Sequence, residues 1–418
     1  MGKLRYDIKL YLLMILAIGL AWGLVACTTV ETITGGKKES AEPKPEPSPG
    51  QAAKGAPEYW LSMATYNQVM PGASSDPGLM GKIIGKVTGM KAGRYRSLRL
   101  QLTSKPVVDQ PEATHDIPAG MKMGETLPLA SPKSETKPYV GQSESEKESW
   151  KKEEPPKTKI KFYWGCGEKA AKGQPRVVST SGMSPTGFAN LMAGRKIRHH
   201  VLPVPRSGWI YAEWPNRILD RDVPLDASLQ GQHFVHGNYI PHIKFSLEPS
   251  QDFLAPVEFT SIQGGIKDTI RLQWSSIPQA IGYFALAMGT EEKTGDLIIW
   301  SSSRVYYPGW GLLDYLPSRE VRRLIGSGVV MPPSSTDCII PDGIFAETKG
   351  AMLQFIAWGK DVFLSYPAKA KLPDWRVRAR YKSTGMLILG EDMAEQNRPT
   401  EEEQEKKSGV RRFLKIFK

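Results

Sequence analysis

Apolar and polar residues alternate along several short stretches of the chain, and a period of two predicts strands with one buried face. Leu98, Leu100 and Leu102 alternate with Arg99 and Gln101. Lys159-Ile160-Lys161-Phe162-Tyr163-Trp164 reads as a strand leading into Gly165-Cys166-Gly167. Further strands are expected at 208–213 and within 232–247, where Ile243, Phe245 and Leu247 alternate with Lys244 and Ser246. Ile270, Leu272 and Trp274 share one face, with Arg271 and Gln273 on the other, and a second alternating run passes through Ala285 and Ala287. Strands follow at 297–300, 352–358 and 375–381. In the last, Trp375, Val377, Ala379 and Tyr381 should point inward, leaving Arg376, Arg378, Arg380 and Lys382 as an outward cationic row that could touch an anionic partner but reads first as a solvated sheet face. Helical spacing is rare. A short helix is expected at 188–194, and Pro317-Ser318-Arg319-Glu320-Val321 opens another with capping character. The fold class is therefore mostly β.

Breaks in the pattern divide the chain. Residues 27–56 alternate proline with Glu, Lys and Ser and have no apolar surface to bury, which predicts a disordered, extended tether. At ~3.1 Å per residue it would span up to about 90 Å. A β-rich domain is expected over 57–249, interrupted by a low-complexity excursion at 131–159. A second β-rich domain is expected over 250–390, followed by a charged tail at 391–418. The end of that tail, from Gly409 to Lys418, mixes apolar and basic residues but is barely three helical turns long, which favours a frayed end.

The first 26 residues have a different character. Lys3, Arg5 and Lys9 form a basic start, residues 10–22 are apolar apart from Gly19, and Leu24-Val25-Ala26-Cys27 closes the run. These four residues resemble the lipobox of bacterial lipoproteins. The resemblance implies a signal peptide at 1–26, cleavage before Cys27, and three acyl chains on that residue, more than stable anchoring needs. Thr28 stands where inner-membrane retention usually takes an aspartate, so the implied destination is the outer membrane, on its periplasmic or cell-surface side.

A second resemblance covers residues 257–305. A strand ending in Trp274, a turn through Pro278 and Ala280, and Gly282-Tyr283 opening the next strand resemble a fibronectin type III or immunoglobulin-like sandwich. In that family the Trp fills the space between the sheets and the Tyr packs across from it. The helix near 318 departs from a plain sandwich and is expected as a short insertion.

The formal charge of +12 would suit anionic lipid or acidic glycan, but it is spread along the chain, and plain solubility accounts for it. Nucleic acid is excluded as a partner by the implied compartment. With Cys27 lipidated, Cys166 and Cys338 remain. They lie in segments assigned to different domains, which favours two separately buried thiols over a disulfide.

Candidate chemistry is sparse. Gly81-Lys82-Ile83-Ile84-Gly85-Lys86-Val87-Thr88 lacks phosphate-loop spacing and puts Val87 where a hydroxyl is required. His233, His236 and His242 have spacings a metal site could use, but no cysteine or carboxylate joins them at a recognisable interval. On an extended chain His233 and His236 also point to opposite faces. Cys166, with His199 or His200 as base, makes a weak nucleophile because Gly165 and Gly167 mark a turn. No cofactor is implied. The expected role is non-enzymatic binding or structure in the envelope, with the membrane as one partner through Cys27 and an envelope protein or glycan as another. A lipid-anchored hydrolase of glycan or peptide and a scaffold subunit of a secretion or assembly complex are the alternatives.

Overall fold

The computed structural model of the chain describes residues 55–68, 93–105, 107–132, 158–193 and 197–390. The leader with Cys27, the tether up to residue 54, the stretch at 81–88, residues 133–157 of the excursion and the tail lie outside the described residues.

The first half of the chain supplies β1 (Glu58–Gln68), β2 (Gly93–Ser104), β3 (Ala113–Asp116), β4 (Thr126–Leu129), β5 (Lys159–Trp164) and β6 (Arg176–Ser179). Helix α1 (Pro185–Ala193) precedes β7 (Ile210–Trp214), β8 (Gly231–Gly237) and β9 (Ile243–Leu247). The second half supplies β10 (Phe259–Gln263), β11 (Ile270–Trp274), β12 (Ala280–Glu291) and β13 (Leu297–Ser301). Helix α2 (Ser318–Gly326) then precedes β14 (Asp337–Ile340), β15 (Thr348–Gly359), β16 (Val362–Tyr366) and β17 (Trp375–Leu389). The chain is mostly β, as its pattern predicts, and α2 falls where the helical insertion is expected.

A ten-stranded sheet runs in the order β6-β5-β13-β12-β15-β17-β1-β2-β7, with β16 paired to the start of β17. Its neighbours are antiparallel except β1 with β17 and β5 with β13, which are parallel. Strands from both sides of residue 250 therefore share this sheet. The pairing of β1 with β17 extends over eleven registered positions, from Glu58 opposite Arg376 to Gln68 opposite Met386. Two smaller antiparallel sheets, β4-β3-β8-β9 and β10-β11-β14, complete the fold.

The main core lies between one face of the large sheet and the two small ones. Tyr59, Leu61 and Met63 of β1 and Val377, Ala379 and Tyr381 of β17 meet Val235 and Phe245 of one small sheet and Leu272 and Trp274 of the other. Trp274 and Tyr283 contact edge to face at 5.9 Å, and the Tyr283 hydroxyl accepts the Ile277 N–H. A second core covers the opposite face of the sheet's other half, where Phe284, Leu286, Ile356 and Trp358 pack on Val321 and Leu324 of α2 and on Tyr307, Leu312 and Leu316. Cover on both faces explains the unbroken buried run at 282–287 in β12, where alternation alone would expect polar residues.

Cys166 and Cys338 form a disulfide, with their Cα atoms 5.1 Å apart. This corrects the expectation of separate thiols. The turn at Gly165-Cys166-Gly167 runs beside β14, and the Gly167 N–H donates to the Ile339 carbonyl at 2.9 Å. The bridge fastens the turn after β5 of the large sheet to the β10-β11-β14 sheet. No helix among the described residues is long and apolar enough to cross a membrane.

Candidate functional site

The face of β17 that turns away from the main core carries Arg376, Arg378, Arg380 and Lys382, and its register sets their neighbours. Arg378 lies opposite Trp60 on β1 and Phe363 on β16, and Arg380 lies opposite Ser62. The alternation is as expected, but the solvated row is not. Arg380 and Lys382 are each only 3 % exposed. Charged side chains this deep occur only with partners. The irregular segment before α2 crosses over them and brings Asp314 and Tyr315.

Lys382 donates to Asp314 Oδ1 at 3.2 Å, with both side chains sealed from water. Burial alone would raise the Asp314 carboxyl, but Lys382 and Arg380 outweigh it and hold the group below its ordinary value. The main-chain carbonyl of Asp314 accepts the Trp358 indole N–H at 2.8 Å, which fixes the segment against β15. Arg380 donates from Nε to the Ser62 hydroxyl at 2.7 Å, and its guanidinium lies 4.1 Å from the centre of the Tyr315 ring. One carboxylate thus serves two buried cations.

Arg378 is half-buried between two aromatic rings, with its guanidinium carbon 5.1 Å from the Trp60 ring centre and 4.9 Å from that of Phe363. The His200 and Trp60 rings meet in a T-shaped contact, with their centres 5.5 Å apart. His200 Nε2 lies 3.4 Å from Asp361 Oδ1, close enough for charge contact but outside hydrogen-bond geometry. Asp361 caps α2 from outside the helix: its Oδ2 accepts the Ser318 N–H at 2.8 Å, and the Asp361 N–H donates to the Ser318 hydroxyl at 2.7 Å. At the other end of the row, Arg376 faces Glu58 at 3.8 Å.

The weak metal candidates are not brought together. His233 is buried, donating from Nε2 to the Leu229 carbonyl at 2.7 Å and facing His115 at 2.9 Å. His236 leaves the opposite face of β8 and meets Asp116 at 3.1 Å, while His242 sits edge-on to Phe234. No group of three metal-ligating side chains converges among the described residues. The Cys166 sulfur is held in the disulfide, and His200 is turned to Trp60 and Asp361.

Sequence pattern missed His115. Its Nδ1 meets the Tyr59 hydroxyl at 2.8 Å, so Tyr59, His115, His233 and the Leu229 carbonyl form one buried chain of hydrogen bonds. Spacing gives no hint of it, because the two imidazoles come from strands 118 residues apart in sequence.

No protein-family model matches the chain, and no curated protein matches it either.

Proposed function

We propose that the chain is a lipid-anchored envelope protein whose folded body serves a non-enzymatic binding or structural role at the outer membrane or cell surface. The disulfide between Cys166 and Cys338 carries this reading. Disulfides persist in oxidising compartments and are rare in the cytosol, so the bridge agrees with export by a leader that ends at Ala26, just before Cys27. The basic, apolar and lipobox-like parts of that leader support the anchor, and the proline-rich stretch after it supports a body held away from the bilayer. An envelope protein or a glycan is the proposed partner.

The test is metabolic labelling with a fatty-acid probe, together with proteinase shaving of intact cells. The wild-type chain should take up label and lose its leader, and Cys27→Ala should do neither. Digestion of the wild-type body on intact cells places it on the surface, and protection places it in the periplasm. Absence of label from the wild-type chain overturns the anchor.

A further inference from the structure

We propose that the open end of the β17 row is a receptor for an oxyanion, a carboxylate or phosphate group of a bound ligand, held by Arg378 with Trp60 beside it and Arg380 behind. The proposal deepens the binding reading above and rests on it only in treating binding as the role of the body.

Three observations carry it. The first is the pattern of unmatched donors. Trp60 Nε1, Arg378 Nε and Arg380 Nη2 are all buried with no acceptor among the described residues. Trp60 and Arg378 touch, and Arg380 follows two positions along the same strand face. Buried donors normally find partners, and neighbouring N–H groups on cationic or indole side chains call for an acceptor-rich, anionic one.

The second is charge. Asp314 is shared by Lys382 and Arg380, so the three groups keep one net positive charge, and Arg378 makes no ion pair among the described residues. Of the other nearby carboxylates, Asp361 accepts the Ser318 N–H and lies against His200, and Glu58 faces Arg376. Asp314, Arg380 and Lys382 are all sealed from solvent, so the single net positive charge of the trio reaches the rim with little ionic screening.

The third is pre-organisation. The Arg378 guanidinium is clamped between Trp60 and Phe363, so the planar fork is ordered before a ligand arrives. Phe363 is 56 % exposed, which puts this end of the row at the surface. An oxyanion fits such a fork through two parallel N–H···O bonds.

The test uses the full chain in nonionic detergent. Titration calorimetry and thermal midpoint are followed with inorganic phosphate and with acetate, at constant ionic strength against chloride. Saturable binding of at least one oxyanion is expected. The one that binds identifies the ligand group as phosphate or carboxylate, and binding of both assigns a site for either. Arg378→Lys keeps the charge but loses the fork and should weaken binding about tenfold or more. Phe363→Ala should weaken it by a smaller factor, with near-ultraviolet dichroism reporting an intact fold. Arg206→Lys removes another stacked arginine, 3.4 Å from the Trp209 ring centre, and should change nothing. No saturable binding by the wild-type chain, or equal binding by Arg378→Lys, overturns the proposal. Cys27→Ala should bind the anion like wild type, so failure of the anchor and failure of this site are separate results.

Discussion

Lys382 and Asp314 meet at 3.2 Å under a cover that leaves neither side chain open to water, and Arg380 shares the same carboxylate. The two partners are therefore not equivalent. Loss of Asp314 strands two buried cations, whereas loss of Lys382 leaves Asp314 with Arg380. Asp314→Ala should cost about 3–5 kcal/mol, the range for an uncompensated buried charge, and Lys382→Met distinctly less. Guanidinium unfolding of both variants checks this, and a costlier Lys382→Met would contradict the shared-carboxylate geometry.

The alternation of β17 was legible because its period of two is strict: Trp375, Val377, Ala379 and Tyr381 do enter the core. The fate of the opposite row was not. Charged residues usually mean solvent, and what buries Arg380 and Lys382 is an irregular segment, around Asp314 and Tyr315, with no period to read. The same limit applies to the parallel pairing of β1 with β17 and to the contact of His115 with His233. Those partners are chosen by tertiary packing between segments far apart in sequence. Local pattern placed α2 at its sequence position but could not reveal that Asp361, from the turn after β15, caps it.

The buried histidine chain predicts a pH dependence. The Leu229 carbonyl can only accept, so His233 carries its proton on Nε2 and presents a bare Nδ1 to His115. His115 then donates from Nε2 and accepts the Tyr59 O–H at Nδ1. Both rings are neutral. Burial lowers His115 well below the ordinary value, with His233 adding to the effect. Burial also lowers His233 to about 4, against the opposing pull of the Leu229 carbonyl and Asp252. With folded values below the unfolded 6.5, the unfolded chain takes up protons first as the pH drops. Stability should be full above about pH 6.5 and fall toward pH 4, by about 1.4 kcal/mol per pH unit for each proton involved. Asp314 acts only lower, because its stabilisation is lost below the ordinary carboxylate range. Nitrogen chemical shifts should show both rings as Nε2–H tautomers at pH 6, and a His233 midpoint near 6.5 would rule the arrangement out.

Gly264 turns the chain from β10 into β11 with φ of +94°, and a Cβ there would run into the Thr269 carbonyl oxygen. Gly295 also has positive φ, +72°, but nothing lies within 4 Å of the added carbon. Gly295→Ala should cost about 1 kcal/mol for its left-handed backbone alone. Gly264→Ala adds a main-chain clash and should cost about 2 kcal/mol or more. Thermal unfolding of the pair separates backbone conformation from space, and equal losses would mean that the turn relaxes around the methyl group.

The disulfide closes a separation of 172 residues and ties two sheets together. Removing it should cost about 2–5 kcal/mol, chiefly by restoring freedom to the unfolded chain. The two cysteines differ in surroundings. Cys338 is buried on β14, whereas Cys166 sits in an exposed turn. Cys166→Ser leaves a thiol at Cys338, which suits an apolar site. Cys338→Ser buries a hydroxyl there instead and should be the more damaging change. Urea midpoints with and without reductant measure the bridge, and comparison of the two serine variants under reduction isolates the buried hydroxyl. Non-reducing peptide mapping of protein from the exported fraction should recover Cys166 and Cys338 in one linked fragment. Two freely alkylated thiols in that fraction would remove both the bridge and its support for an oxidising compartment.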